Sequence, residues 1–342
     1  MQISSLYALR PLNVGQIIDR AVRLYRNAFW PCVLIALIVE IPLLVSRLFW
    51  RPPAIESLTG SNMAEIFGYG FLRIVAVMGV RLVTLAAMSQ VVVMVYAGRE
   101  VSVAAAYWRV LSRWQEIILT SLTLIPTTVL MIAWYFIPCI GSLSGLGLNI
   151  FYFVVLVPLC VPIVMLERKK GPDVLRRAWE LTRSQFWASI GFALFALLFF
   201  VGVWLGPRFL VQIVIISLFN KGNLTFSDFS LPSFSGYLSF SDLIDTIFMT
   251  LIWPILMIAL TLWYLDLRVR REGLDLFLGA DAQLPDTLRL APEKVMAQSP
   301  PRTSETWLNS TELARFIGLT ILTVGLPIAI FYGLVVVVNL ME

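Results

Sequence analysis

The sequence predicts an all-α fold: a polytopic transmembrane helix bundle of six spans in three hairpins, with a seventh C-terminal span. Three observations predict it. Of the 342 residues, 59% are hydrophobic and only 14% charged, with a mean hydropathy of +0.84. A soluble domain cannot cover that much apolar surface, whereas a bilayer solvates it. Apolar runs of at least the roughly 20 residues a crossing needs recur at 29–49, 67–97, 116–138, 146–166, 186–205, 243–265 and 313–340. Lys and Arg, finally, gather in alternate loops.

The elements follow in order. Before the first span, Val14, Ile17, Ile18, Ala21, Leu24, Tyr25 and Ala28 fall at helical spacing, with Asp19, Arg20, Arg23 and Arg26 largely opposite. Asn13 and Gln16 suit an N-cap and capping box. No small-residue cleavage site follows the first apolar run, so that span is expected to be retained. A second such segment precedes span three: Val103, Ala106, Tyr107, Val110, Leu111 and Trp114, with Ser102 as cap. A third precedes span five, with Pro172 in its first turn and Val174, Leu175, Ala178 and Leu181 as its apolar face. A basic polar face opposite an apolar stripe suits a helix lying in the headgroup layer. Arg20, Arg23, Arg26, Arg176, Arg177 and Arg183 would then face anionic lipid. The alternative is a plain cytoplasmic extension of each span.

Gly206-Pro207 is expected to break the fifth helix, leaving 209–219 as a short interfacial or re-entrant helix. Pro42, Pro126, Pro158, Pro162 and Pro254 are further candidate breaks within spans. Outer loop 220–242 is rich in Ser and Phe, and the polar linker 279–310 carries Pro285, Pro292, Pro300 and Pro301 and is expected to be partly flexible. Asn309 and Glu312 read as the cap of the seventh helix.

Charge sets the expected orientation, because cytoplasmic loops retain positive residues. Segments 1–27, 98–115, 167–185 and 266–315 carry four, three, six and seven Lys or Arg, or 20 of the 26 in the chain. Loops 47–66, 139–145 and 206–242 hold only Arg47, Arg51, Arg208 and Lys221. The N-terminus is therefore expected in the cytoplasm and, after seven spans, the C-terminus outside. Arg20-Ala21, Leu24, Arg26 and Phe29-Trp30 recur 157 positions later as Arg177-Ala178, Leu181, Arg183 and Phe186-Trp187. These six identities in fourteen positions indicate an internal repeat with units 11–97, 98–166 and 167–278 inside a membrane domain 1–278. Linker 279–310 and the added helix 311–342 complete the plan.

The absence of histidine removes the usual proton shuttle and the commonest metal ligand. Cys32, Cys139 and Cys160 lie in or beside apolar runs with no paired motif and read as packing residues. No catalytic, metal or cofactor residues are assigned, and the basic residues follow topology rather than forming a nucleic-acid patch. Glu40 and Arg81 fall near the middle of spans one and two, with Arg73 nearer the outer surface. Ionisable groups at that depth cost roughly 2.5–3.5 kcal/mol each on insertion scales, so they pair or line a polar path. A register-fixing Glu40–Arg81 pair is favoured over a proton or solute pathway, because no chain of acids leads inward from it. The densest motif closes span six, Tyr264-Leu265-Asp266-Leu267-Arg268-Val269-Arg270-Arg271-Glu272-Gly273. Asp266 and Arg270 sit one helical turn apart, the arginines complement the helix dipole, and Gly273 suits the C′ position.

This closing motif, with the opening Arg10-Pro11-Leu12-Asn13-Val14-Gly15-Gln16-Ile17-Ile18-Asp19-Arg20-Ala21, resembles bacterial proteins related to the membrane domain of glycerophosphoryl diester phosphodiesterases. The resemblance covers residues 10–278 and implies a six-helix membrane domain, often without assigned activity. In the fused form it implies catalytic histidines and metal-binding acids in a separate soluble domain. This chain has no histidine and no room for that domain, so the activity does not carry over. The expected role is a non-catalytic scaffold or accessory subunit in the bacterial inner membrane. Its expected partners are anionic headgroups and, through the seventh span, other membrane proteins. The alternative is a carrier of a lipid or small amphiphile, with a membrane-embedded enzyme third.

Overall fold

A computed structural model describes residues 10–49, 63–219, 240–282, 292–298 and 309–341. Among these, the regular structure is helical, with no strand. Six stretches are long and apolar enough to cross a membrane: Phe29–Ser46, Gly79–Tyr96, Trp114–Tyr135, Leu143–Glu167, Phe186–Val203 and Thr246–Glu272.

Helix α1 (Val14–Asn27) opens with the Asn13 amide donating to Gln16 Oε1 at 3.1 Å, and Ala28 separates it from α2 (Phe29–Phe49). Helix α3 (Met63–Tyr96) ends at Gly98, whose φ of +64° permits the turn into α4 (Val103–Leu111). Ser102 Oγ caps α4 by accepting from the Ala105 amide at 3.4 Å. Helix α5 (Trp114–Tyr135) leads to α6 (Ile140–Phe151), a π turn at Tyr152–Leu156, and α7 (Val157–Glu167). Helix α8 (Pro172–Arg183) begins on Pro172, as its fixed φ favours, and precedes α9 (Phe186–Phe219). Then come α10 (Phe240–Glu272), α11 (Leu274–Ala282), α12 (Pro292–Ala297) and α13 (Ser310–Met341). The starts of α2 and α9, Phe29 and Phe186, stand at the same offset as the sequence identities.

The expected breaks do not occur. Helix α9 runs unbroken through Gly206-Pro207, so 209–219 is no separate helix. Pro42, Pro126, Pro162 and Pro254 lie inside helices, and Pro158 follows the π turn in an otherwise continuous run. A proline deletes one hydrogen bond and crowds the carbonyl four residues back. A full break in hydrocarbon would instead leave several backbone groups without partners. Before Pro158 the π turn relieves the crowding, with the Val157 amide donating to Tyr152 O. Within linker 279–310, the described residues include the end of α11 and all of α12. Loop residues 220–239 and linker residues 283–291 and 299–308 lie outside the described residues.

The chain divides into two compact units. The first comprises Met1–Arg113 and Leu194–Val295; the second comprises Trp114–Ala193 and Met296–Glu342. The expected third repeat, 167–278, is thereby shared between them.

In the first unit, α1 lies on α10, α4 lies on α3, and α2, α3 and α10 pack together. Ile17, Ile18, Ala21, Leu24 and Tyr25 of α1 are all buried. In the second unit, α8 lies on α7 and α13 on α6, with Val174, Ala178 and Leu181 buried. The apolar faces of α1 and α8 are therefore covered by protein, not turned to lipid. Amphipathic periodicity calls for an apolar partner, and a neighbouring span serves as well as acyl chains. Helix α4 is intermediate: Ala106 and Val110 are buried, while Trp108 and Leu111 are exposed.

Candidate functional site

The two motifs at opposite ends of the first unit's sequence meet in space. Leu12 N–H donates to Asp266 Oδ1 at 2.7 Å, across 254 positions. Arg270 Nη2 donates to the Leu12 carbonyl at 2.6 Å and Arg270 Nε to Asp266 Oδ2 at 2.8 Å. One carboxylate and one guanidinium, a helical turn apart on α10, thus hold both polar groups of a single peptide residue. Leu12 and Asp266 are 5% and 6% exposed, so the Leu12–Asp266 bond is formed away from water, while the Arg270 side chain is 33% exposed. The grip falls just before the α1 N-cap and fixes where that helix begins.

The rest of the closing motif is helix-end structure. Arg268 is buried, with Nε donating to Glu272 Oε2 at 2.9 Å and Nη1 to the Tyr264 hydroxyl at 3.4 Å. Gly273, at φ +65°, donates to Val269 O and closes α10, while Arg271 is exposed.

Glu40 on α2 and Arg81 on α3 are brought together inside the first unit, with Arg81 Nη2 at 3.4 Å from Glu40 Oε1. The Arg81 guanidinium lies 4.5 Å from the Trp253 ring centroid, and Nη1 reaches Met249 Sδ at 3.8 Å. Both α10 side chains were missed from sequence, since an apolar span offers no signal for which aromatic meets a cation. Trp253 gives Arg81 a cation–π face, a contact that strengthens where water is excluded. Arg73 lies on α3, but its side chain is outside the described residues.

Of the six arginines expected at the headgroups, Arg177 requires correction. It is 2% exposed, and its Nε donates to Glu167 Oε2 at 2.8 Å and Oε1 at 3.1 Å. An acid at the end of α7 neutralises it, so α8 docks through a buried ion pair instead of presenting this charge to lipid. Lys169 Nζ lies 3.6 Å from Glu167. Burial, helped by Arg177, holds the Lys169 ammonium below its usual pKa despite the pull of Glu167 and Glu180. Arg176 pairs with Glu180 at 3.2 Å and Arg183 with Glu312. Arg23 pairs with Asp19 at 2.7 Å in the open, a contact of little energetic weight. Arg26 is exposed and Arg20 half-buried.

Helix α4 is seated by polar bonds as well: Tyr107 Oη donates to Ile35 O at 2.8 Å, and Arg109 Nη1 to Gln90 Oε1 at 3.4 Å. Among the described residues, no group of three or more Cys, Asp or Glu side chains is placed to hold a metal. Cys32 and Cys160 are buried and Cys139 is exposed. A small apolar hollow between α1, α9 and α10 in the first unit, lined by Ile18, Phe199 and Ile255 among others, has room for little more than a water molecule.

The chemistry these groups share is positional. Asp266, Glu167 and Glu40 each face an arginine, and each joins elements distant in sequence or separated by a turn. No family model, no curated protein and no solved structure matches the chain. The resemblance carried by the two end motifs accordingly stands on those motifs alone.

Proposed function

We propose that the protein is a non-catalytic, multi-pass protein of the bacterial inner membrane that serves as a scaffold or accessory subunit of a membrane assembly. The N-terminus lies in the cytoplasm, and α13 crosses as a seventh span to leave the C-terminus outside. One observation carries the reading: the buried carboxylates are engaged by arginines and main chain that seat one helix on another. Groups committed in this way hold a shape and supply no exchangeable proton or open ligand site. The exposed arginines of α1 attract anionic headgroups on the cytoplasmic face.

Purification in mild detergent, with identification of what co-migrates, tests the reading. A stoichiometric membrane protein supports it, and a purified chain with only lipid bound refutes it. That second outcome favours a carrier of a lipid or small amphiphile. Single-cysteine labelling tests the orientation separately. Residues 98–115 and 139–145 must label from opposite sides.

A further inference from the structure

The second unit carries a groove that reads a helix at defined positions, and α13 occupies it. Of the described α13 side chains, Glu312, Phe316, Leu319 and Thr320 are buried, whereas Ile321, Leu322 and Val324 are exposed. Over these residues the buried positions follow one narrow stripe, the pattern of a helix seam and not of a core helix. Each position along the stripe meets a different chemistry. Glu312 pairs with Arg183, and the neighbouring Arg315 Nη1 donates to the Arg183 carbonyl at 2.9 Å. Phe316 enters a cluster of Phe151, Trp179 and Phe186, with ring centroids 5.9, 5.9 and 5.5 Å away. Thr320 Oγ1 accepts from the Gly147 amide at 2.8 Å. A Cβ at Gly147 would collide with the Phe316 carbonyl, so only glycine lets the two backbones come this close.

A long apolar helix satisfies its own backbone in a bilayer and persists without neighbours. Docking of α13 is thus an association added to a helix that exists already. We propose that this groove is a helix-recognition site, and that α13 is its tethered, exchangeable occupant. The partner class is a transmembrane helix bearing Glu, Phe and Thr at successive four-residue steps, with its N-terminus on the side of Arg183. This rests on the scaffold reading and gives it a docking surface.

The test uses the full chain, with a protease site inserted within 299–308 and cut after purification into bicelles. A labelled synthetic peptide of residues 309–342 is then added in excess. Replacement of the resident C-terminal piece by labelled peptide in the cut protein supports the inference, as does weak uptake by the uncut chain. A short tether raises the local concentration of the resident helix to about the millimolar range. Peptide variants leave folding of the protein untouched. Thr320→Val is expected to compete about three- to tenfold less well, as loss of one hydrogen bond implies. Phe316→Ala should compete at least about tenfold less well, and Ile321→Ala within about twofold of the parent. The inference is overturned if the resident piece never exchanges, or if Phe316→Ala and Thr320→Val peptides enter as readily as the parent. Co-purification of a membrane protein is read in the separate detergent experiment, so either proposal can fail while the other stands.

Discussion

Replacing Asp266 with alanine should loosen the first unit at its N-terminal seam. Two interactions disappear together. The Leu12 amide, 5% exposed with its residue, loses its acceptor at 2.7 Å; a buried donor left unsatisfied costs about 1–3 kcal/mol. The Asp266–Arg270 pair at 2.8 Å is lost as well. Because the Arg270 side chain is 33% exposed, that pair is discounted to the surface range of about 0.2–1 kcal/mol. The sum, about 1.2–4 kcal/mol, amounts to a roughly 7- to 700-fold increase in the unfolding constant. Asp266→Asn keeps an oxygen for Leu12 and gives up only the charge, so about 1 kcal/mol is expected. Denaturant titration in mixed micelles, followed by tryptophan fluorescence, measures both variants, with Arg270→Ala between them. A midpoint unchanged in Asp266→Ala, or equal damage from Asn and Ala, refutes the reasoning.

Three further outcomes are expected. Glu40→Gln removes the carboxylate facing Arg81 and should lower thermal stability by about 3 kcal/mol, the lower end for breaking a buried pair because the Arg81 side chain is 18% exposed. Adding Arg81→Met should recover much of that loss, and unchanged yield and melting in the single variant would sink the pairing. Arg168, exposed and at φ +57°, stands in the left-handed region. Glycine there relieves about 1–2 kcal/mol and gives back about 0.5–1 in chain entropy, so Arg168→Gly should raise the unfolding midpoint slightly. Burial pushes the Tyr107 hydroxyl from 10.0 to about 12, and Tyr25 likewise. The folded chain then keeps protons that the unfolded chain sheds, so stability holds below pH 10.0 and falls as pH rises toward about 12. Tyr107→Phe and Tyr25→Phe together should flatten that fall in an alkaline melting series.

What the sequence revealed, and what it hid, follows from the range of the interactions involved. Helix starts at Val14, Val103 and Pro172 depend on caps and 3.6-residue periodicity within a few neighbours, and each is legible locally. The partner of a face is not local. Arg177 has the spacing of an exposed cation, and only the acid that ends α7 makes it a buried one. Proline gave a misleading signal for a related reason. Its effect on a free helix is local, but the bilayer penalty for an open backbone keeps α9 continuous through Pro207. The place of α13 was likewise invisible. Gly147 is one glycine among several, and its zero clearance exists only beside Phe316.

The seating of the three short helices follows one rule that no single segment displays. Helix α4 lies on α3 and α8 lies on α7, each the apolar helix that precedes it in the chain. Helix α1 lies instead on α10, far along the chain. The chemistry of each seat differs: main chain to carboxylate for α1, an arginine to the Gln90 amide oxygen for α4, and an ion pair for α8. What is shared is that each seat spends a buried polar group on a specific partner. Apolar packing alone is tolerant of rotation and slip, whereas a hydrogen bond formed out of water is not. For α1 this makes residues 10–13 and 264–273 a single feature divided along the chain. A change on one side, such as Asp266→Ala, should therefore mimic deletion of the other.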